Sequence, residues 1–129
     1  MTLWDYKNHD GDNLIRLWAR KERLTPRERG QLNQKLDTLV RIGFDLAHGT
    51  FLRGPIEDHT YKLVVHSTRM LRPMLCRGPL DNHAEATLLC GAIERDWKLD
   101  PPDAIARAGK HREHILTSHG RARVGHERF

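Results

Sequence analysis

A chain of 129 residues has room for one domain around one core, and its 38% hydrophobic content excludes a disordered polymer. No run reaches the ~18 apolar residues of a membrane span, and Met1-Thr2-Leu3-Trp4-Asp5 lacks the apolar stretch of a signal peptide, so a cytoplasmic protein with no membrane partner is expected. Cys76 and Cys90 are too few for a disulfide scaffold and fit a reducing compartment; the net charge of +5, with much arginine, leans toward nucleic acid but also suits an acidic protein or plain solubility.

Residues Thr2 to Lys7 show the alternation of a short edge strand. Asp10-Gly11-Asp12-Asn13 reads as a turn with Asp12 or Asn13 as N-cap, opening a helix from Asn13 to about Leu24. Thr25-Pro26-Arg27-Glu28 is a capping box with proline at the first helical position. Leu32, Leu36, Leu39 and Val40 continue the helix, and Gly43 stops it. A connection this short predicts an antiparallel helix hairpin.

After Gly43 the period changes. Phe44 to Pro55 reads as a loop with a short extended stretch at Thr50 to Leu52. Strands are expected over His59–His66, Met70–Arg77 and Glu85–Gly91, joined by short turns as an antiparallel meander. Pro73 cannot donate to a ladder and must sit at a bulge or a non-bonding position. A final helix is expected from Pro102 to Leu116, and residues 117–129 read as a basic, flexible tail beyond a domain of residues 1–116. The predicted class is α+β: an N-terminal helix hairpin packed on one face of an antiparallel three- to four-stranded sheet, with a C-terminal helix and the other face partly open.

In this order the motifs resemble the RelE/ParE toxin superfamily, most closely its HigB-like, phage-derived branch. The resemblance runs from about Asn13 to Leu116 and is carried by five segments: Gln31 to Leu39, Tyr61-Lys62-Leu63, Leu71-Arg72-Pro73-Met74-Leu75-Cys76, Leu88 to Asp96, and Pro102 to Ala108. It implies a toxin of a type II toxin–antitoxin system that cuts mRNA on the ribosome without metal or other cofactor. In that reaction the ribose 2′-hydroxyl attacks the adjacent phosphate, and an antitoxin with a helix-turn-helix domain neutralises the toxin. Three positions depart from the family pattern: Lys62 replaces glutamate, Val64 an arginine and Glu94 a lysine. The last two favour a non-nucleolytic alternative in which the same fold inhibits a protein such as DNA gyrase. A phage accessory or virion protein using the fold only for binding is a third reading.

Such a cleavage needs a base, a proton for the leaving 5′-oxygen, and cations placed where charge develops. Arg72 is the first candidate for the phosphate, Arg95 the second cation, and His66 the acid or base, since imidazole titrates near neutral pH. Lys62, Arg69, Arg77 and Lys98, with Arg121 and Arg123 of the tail, are candidates for RNA contact. Lys62, Val64 and His66 share one strand face, opposite Tyr61, Leu63 and Val65. Solvated side chains on a half-exposed strand explain His66 equally well, and charge beside turns is ordinary at Arg69 and Arg77. Trp97 is expected as a lid between the last strand and the last helix rather than a base-stacking platform. His111 and His114 lie three apart, but without a Cys-x-x-Cys or His-Glu-x-x-His pattern no metal site is expected.

Overall fold

The computed structural model describes residues 1–129. Local signals set its helices. Asn13 caps α1 (Leu14–Lys21), its side chain accepting from the Arg16 amide. The capping box opens α2 (Pro26–Ile42): Thr25 Oγ1 accepts from Glu28 N at 3.1 Å, and Thr25 N donates to Glu28 Oε1 at 3.0 Å. Gly43 ends α2 at φ +88°, a left-handed conformation that a side chain would strain. A short α3 (Phe44–Ala47) follows where a loop was expected, and α4 spans Ala104–Thr117.

The strands are β1 (Thr2–Tyr6), β2 (Leu52–Ile56), β3 (Thr60–Leu63), β4 (Val65–His66), β5 (Met70–Arg77), β6 (Glu85–Arg95), β7 (Lys98–Asp100) and β8 (Arg123–Gly125). They form one mixed sheet in the order β2-β3-β5-β6-β1-β8, with β4 joining β5 and β7 joining β6. The class is therefore α+β, but the sheet has eight strands rather than three or four. The expected meander is present as β3-β5-β6, with β2 added to it where a loop was expected. Pro73 sits opposite Gly91, and the ladder shifts register immediately afterwards, between Met74 and Leu75.

Three expectations are corrected. β1 is not an edge strand: it runs parallel to β6, with Leu3 opposite Ala86, and β8 pairs with its other side. The helix hairpin is replaced by separate docking, α1 against β6 and β1, and α2 against α3 and β4. The helices are not confined to one sheet face: α4 packs on the second and covers it in part, and the strands bury apolar side chains on both sides. Ile15, Trp18, Leu32, Leu36 and Leu39 of α1 and α2 pack with Leu71, Leu75, Leu88 and Ile93 on one face. Ala104, Ala108 and Ile115 of α4 pack with Met74, Cys76, Cys90 and Ala92 on the other. Gly91 permits the first packing, since a Cβ there would lie 2.0 Å from the Trp18 ring.

The segment expected as a loose tail is also built into the fold. Besides β8, His126 Nδ1 lies 2.8 Å from Oδ1 of the fully buried Asp5. The Phe129 amide donates to Asn33 Oδ1 at 2.8 Å, and Arg128 pairs with Asp37. No helix is long and apolar enough to cross a membrane.

Candidate functional site

Alternation along β5 and β6 decides which side chains meet. With Arg72 opposite Ala92 and Met70 opposite Glu94, these residues share the sheet face that α4 covers only in part. His66 of β4 pairs with Met70 and lies on the same side. As the strand period predicts, Tyr61, Leu63 and Val65 pack toward α1 and α2, leaving Lys62 and His66 across the strand. His66, Met70, Arg72, Glu94, Asp96 and Trp97 enclose an open cleft of about 370 Å³.

Arg72 is only 5% exposed. Its Nη1 donates to Leu71 O at 3.0 Å, its Nη2 lies 3.4 Å from Glu94 Oε2, and its Nε is buried without a partner. Lys62 Nζ stands 3.5 Å from the other Glu94 oxygen. Partial desolvation pushes the Glu94 carboxyl up, but Arg72 and Lys62 outweigh it and hold the group below its ordinary value. One carboxylate thus serves two cations. His66 is exposed, with Nδ1 3.0 Å from Met70 Sδ. Trp97 is 95% exposed on a turn where Asp96 and Trp97 both have positive φ, so the expected lid is instead a projecting aromatic ring.

The remaining predicted cations lie elsewhere. Arg95 turns to the opposite face, where it meets Asp100 at 3.2 Å and Glu22 at 3.7 Å. Arg69 forms a two-pronged pair with Glu28 at 2.8 and 3.0 Å and reaches Glu22 at 3.2 Å. That pairing, followed by the bond to Thr25, depresses the Glu28 carboxyl despite its burial. Arg77 pairs with Asp45 and covers the Phe44 ring. Arg123 binds Glu85 at 2.6 Å and lies over the Trp4 ring. Lys98 is exposed in β7, and Arg121 belongs to a different cleft. Of the sites expected from sequence, only His66 and Arg72 line one cleft, and Lys62 joins them through the Glu94 carboxylate that it shares with Arg72.

Two basic surfaces were missed. Arg16, Arg20 and Arg23 recur at helical spacing along and just beyond α1, and with Arg29 they border a cleft of about 590 Å³; the i, i+4, i+7 interval was the available signal. The other surface gathers Lys7, His9, His114 and Arg121 from opposite ends of the chain, and no local pattern announces it. No group of three or more His, Cys, Asp or Glu side chains is placed to hold a metal. Both cysteines lie in the second core cluster, where burial pushes their thiols up to about 12 and disfavours the thiolate that metals require.

No protein-family model, curated protein or solved structure matches the chain. What the cleft can do therefore rests on its own groups. A buried guanidinium can meet an oxyanion, an exposed imidazole can exchange a proton, and an exposed indole can stack on a base.

Proposed function

We propose that this protein is a toxin of the RelE/ParE type, in its HigB-like branch, that cleaves mRNA on the ribosome at the His66–Arg72 cleft. The reading rests on one observation: a buried arginine and an exposed histidine line the same open cleft, beneath a fully projecting tryptophan. In this mechanism a base stacks on Trp97 and the adjacent phosphate meets Arg72. The 2′-hydroxyl attacks phosphorus, and its proton leaves to a base while the 5′-oxygen departs with a proton. His66 is the titratable imidazole within reach of that exchange. The phosphate competes with Glu94 for Arg72, and Lys62 retains the carboxylate as Arg72 is drawn toward substrate. The resemblance adds a helix-turn-helix antitoxin as the neutralising partner.

Glu94 also favours a second reading. A carboxylate that already neutralises Arg72 and Lys62 weakens the field a phosphorane would need, which suits a toxin that binds and inhibits a protein such as DNA gyrase, or a phage accessory protein used for binding only. Cleavage of ribosome-bound mRNA and gyrase supercoiling, assayed side by side with wild type, His66→Ala and Arg72→Lys, separate these readings. The nuclease reading expects cleavage that both variants lose, with supercoiling untouched. Inhibited supercoiling without cleavage transfers the assignment to the second reading.

A further inference from the structure

Lys7, His9, His114 and Arg121 surround a second cleft, of about 500 Å³, between the turn at Asn8–Gly11 and the C-terminal end of α4. No carboxylate lines it. Elsewhere Arg69, Arg72, Arg77, Arg95, Arg123 and Arg128 each have an acidic partner; the cleft at Arg16, Arg20, Arg23 and Arg29 also lacks an Asp or Glu side chain, but it has no imidazole. Neither Lys7 nor Arg121 forms an ion pair, so two free cations face two imidazoles.

The imidazoles are held in place. His9 and His114 stack with centroids 3.9 Å apart, and His114 Nδ1 lies 2.8 Å from Tyr6 Oη. Tyr6 is 4% exposed and in turn stacks on His111 at 4.2 Å. Burial raises the Tyr6 phenol, which keeps its proton, and its short bond to Nδ1 fixes the His114 ring so that Nε2 is the nitrogen left for a ligand. Desolvation, followed by the neighbouring His9, disfavours the charged form of His114. The negative end of α4 does not oppose an anion strongly, because the carbonyls of His114, Ile115 and Leu116 already accept from the amides of Ser118, Gly120 and His119.

We infer that this cleft binds the phosphate dianion of a small phosphomonoester, with Lys7 and Arg121 supplying charge and His9 and His114 supplying directed donors. Two cations and two protonatable rings offset a double negative charge better than the single charge of a carboxylate or a phosphodiester. The site shares no residue with the His66–Arg72 cleft, and its success or failure is independent of the RNA reading.

Proton NMR of the full chain tests it, following the ring signals of His9, His111 and His114 across pH. Inorganic phosphate and ribose 5-phosphate serve as monoester probes, with dimethyl phosphate and acetate as singly charged controls. Either monoester probe is expected to shift the His9 and His114 titrations upward, since a bound dianion favours the charged rings. Lys7→Ala and Arg121→Ala should each weaken that binding about tenfold or more, with unchanged circular dichroism. The inference is overturned if the rings ignore both phosphates, if dimethyl phosphate or acetate acts equally well, or if Lys7→Ala and Arg121→Ala bind as wild type does.

Discussion

The His66–Arg72 cleft and the Lys7–Arg121 cleft gather similar side chains, yet only the first contains a counter-charge. The reason lies in where their cations are rooted. Arg72 grows from the middle of the sheet and is 5% exposed, and a guanidinium at that depth is tolerable only beside Glu94. Lys7 follows the end of β1 and Arg121 follows the end of α4, where water satisfies an unpaired charge without help. The chain's net charge of +5 therefore says little about which cations are free to bind. Depth makes the pairing obligatory for Arg72, whereas the half-buried Lys7 and the exposed Arg121 can stay unpaired and available.

The sharpest way to break this contrast is Glu94→Ala. It strands Arg72 without its charged partner and should cost about 1.5–3 kcal/mol in urea unfolding, whereas Arg121→Ala should stay within about 0.5 kcal/mol. Equal effects at the two positions would show that depth does not govern the pairing. Combining Glu94→Leu with Arg72→Met should bring stability back to within about 1 kcal/mol of wild type, because the buried guanidinium leaves with its partner and only the part-exposed Lys62 is left unpaired; the same double variant should cleave no RNA.

Acid should also separate the two regions. Burial, then Arg107 and His114, lower His111 from 6.5 to about 4. The unfolded chain takes up that proton first, so this contribution to stability is complete above pH 6.5 and is lost as pH falls toward about 4. Glu94, held below 4.5, contributes above that value and loses its contribution only at more acidic pH. His111→Phe should flatten the pH dependence of Tm in the upper window and leave the lower one in place. The smallest effect on folding is expected for Trp97→Ala, within about 0.5 kcal/mol because the ring is exposed, while RNA affinity should fall by about 1–3 kcal/mol if a base stacks there. Filter binding at fixed salt reads that difference, and unchanged affinity removes Trp97 from the interface.

Features specified within a few residues were legible in the sequence. Thr25 and Glu28 mark the start of α2, Gly43 marks its end, and the limits of β5 agree with its apolar pattern. What escaped depends on distant partners. Nothing near Thr2–Tyr6 says that it runs parallel to a strand some eighty residues later, and nothing near Arg123–Gly125 marks a strand that needs β1 as its template. The candidate site divides in the same way. Period-two alternation was enough to put Lys62 and His66 on one face. Whether Glu94 or Arg95 joins Arg72 depends on the register of β5 against β6, and a shift between Met74 and Leu75 interrupts that ladder. Arg95 consequently lies on the wrong side for the role expected of it. Trp97 was misplaced because a turn with two successive positive-φ residues carries no glycine to announce it.

The central position of β1 has a consequence for synthesis. On a translating ribosome this strand emerges before both of its neighbours, since the parallel one begins at Glu85 and the other at Arg123. At ~5–20 residues per second, the interval before Arg123 has been added is roughly 6–25 s. Throughout it β1 offers unpaired amides and carbonyls on at least one side, and for most of it on both. A nascent chain can assemble the β2-β3-β5-β6 meander before β8 has been made, yet the Lys7–Arg121 cleft cannot exist until the segment around Arg121 has been delivered. Its ligand therefore meets only chains in which both ends of this fold have already come together.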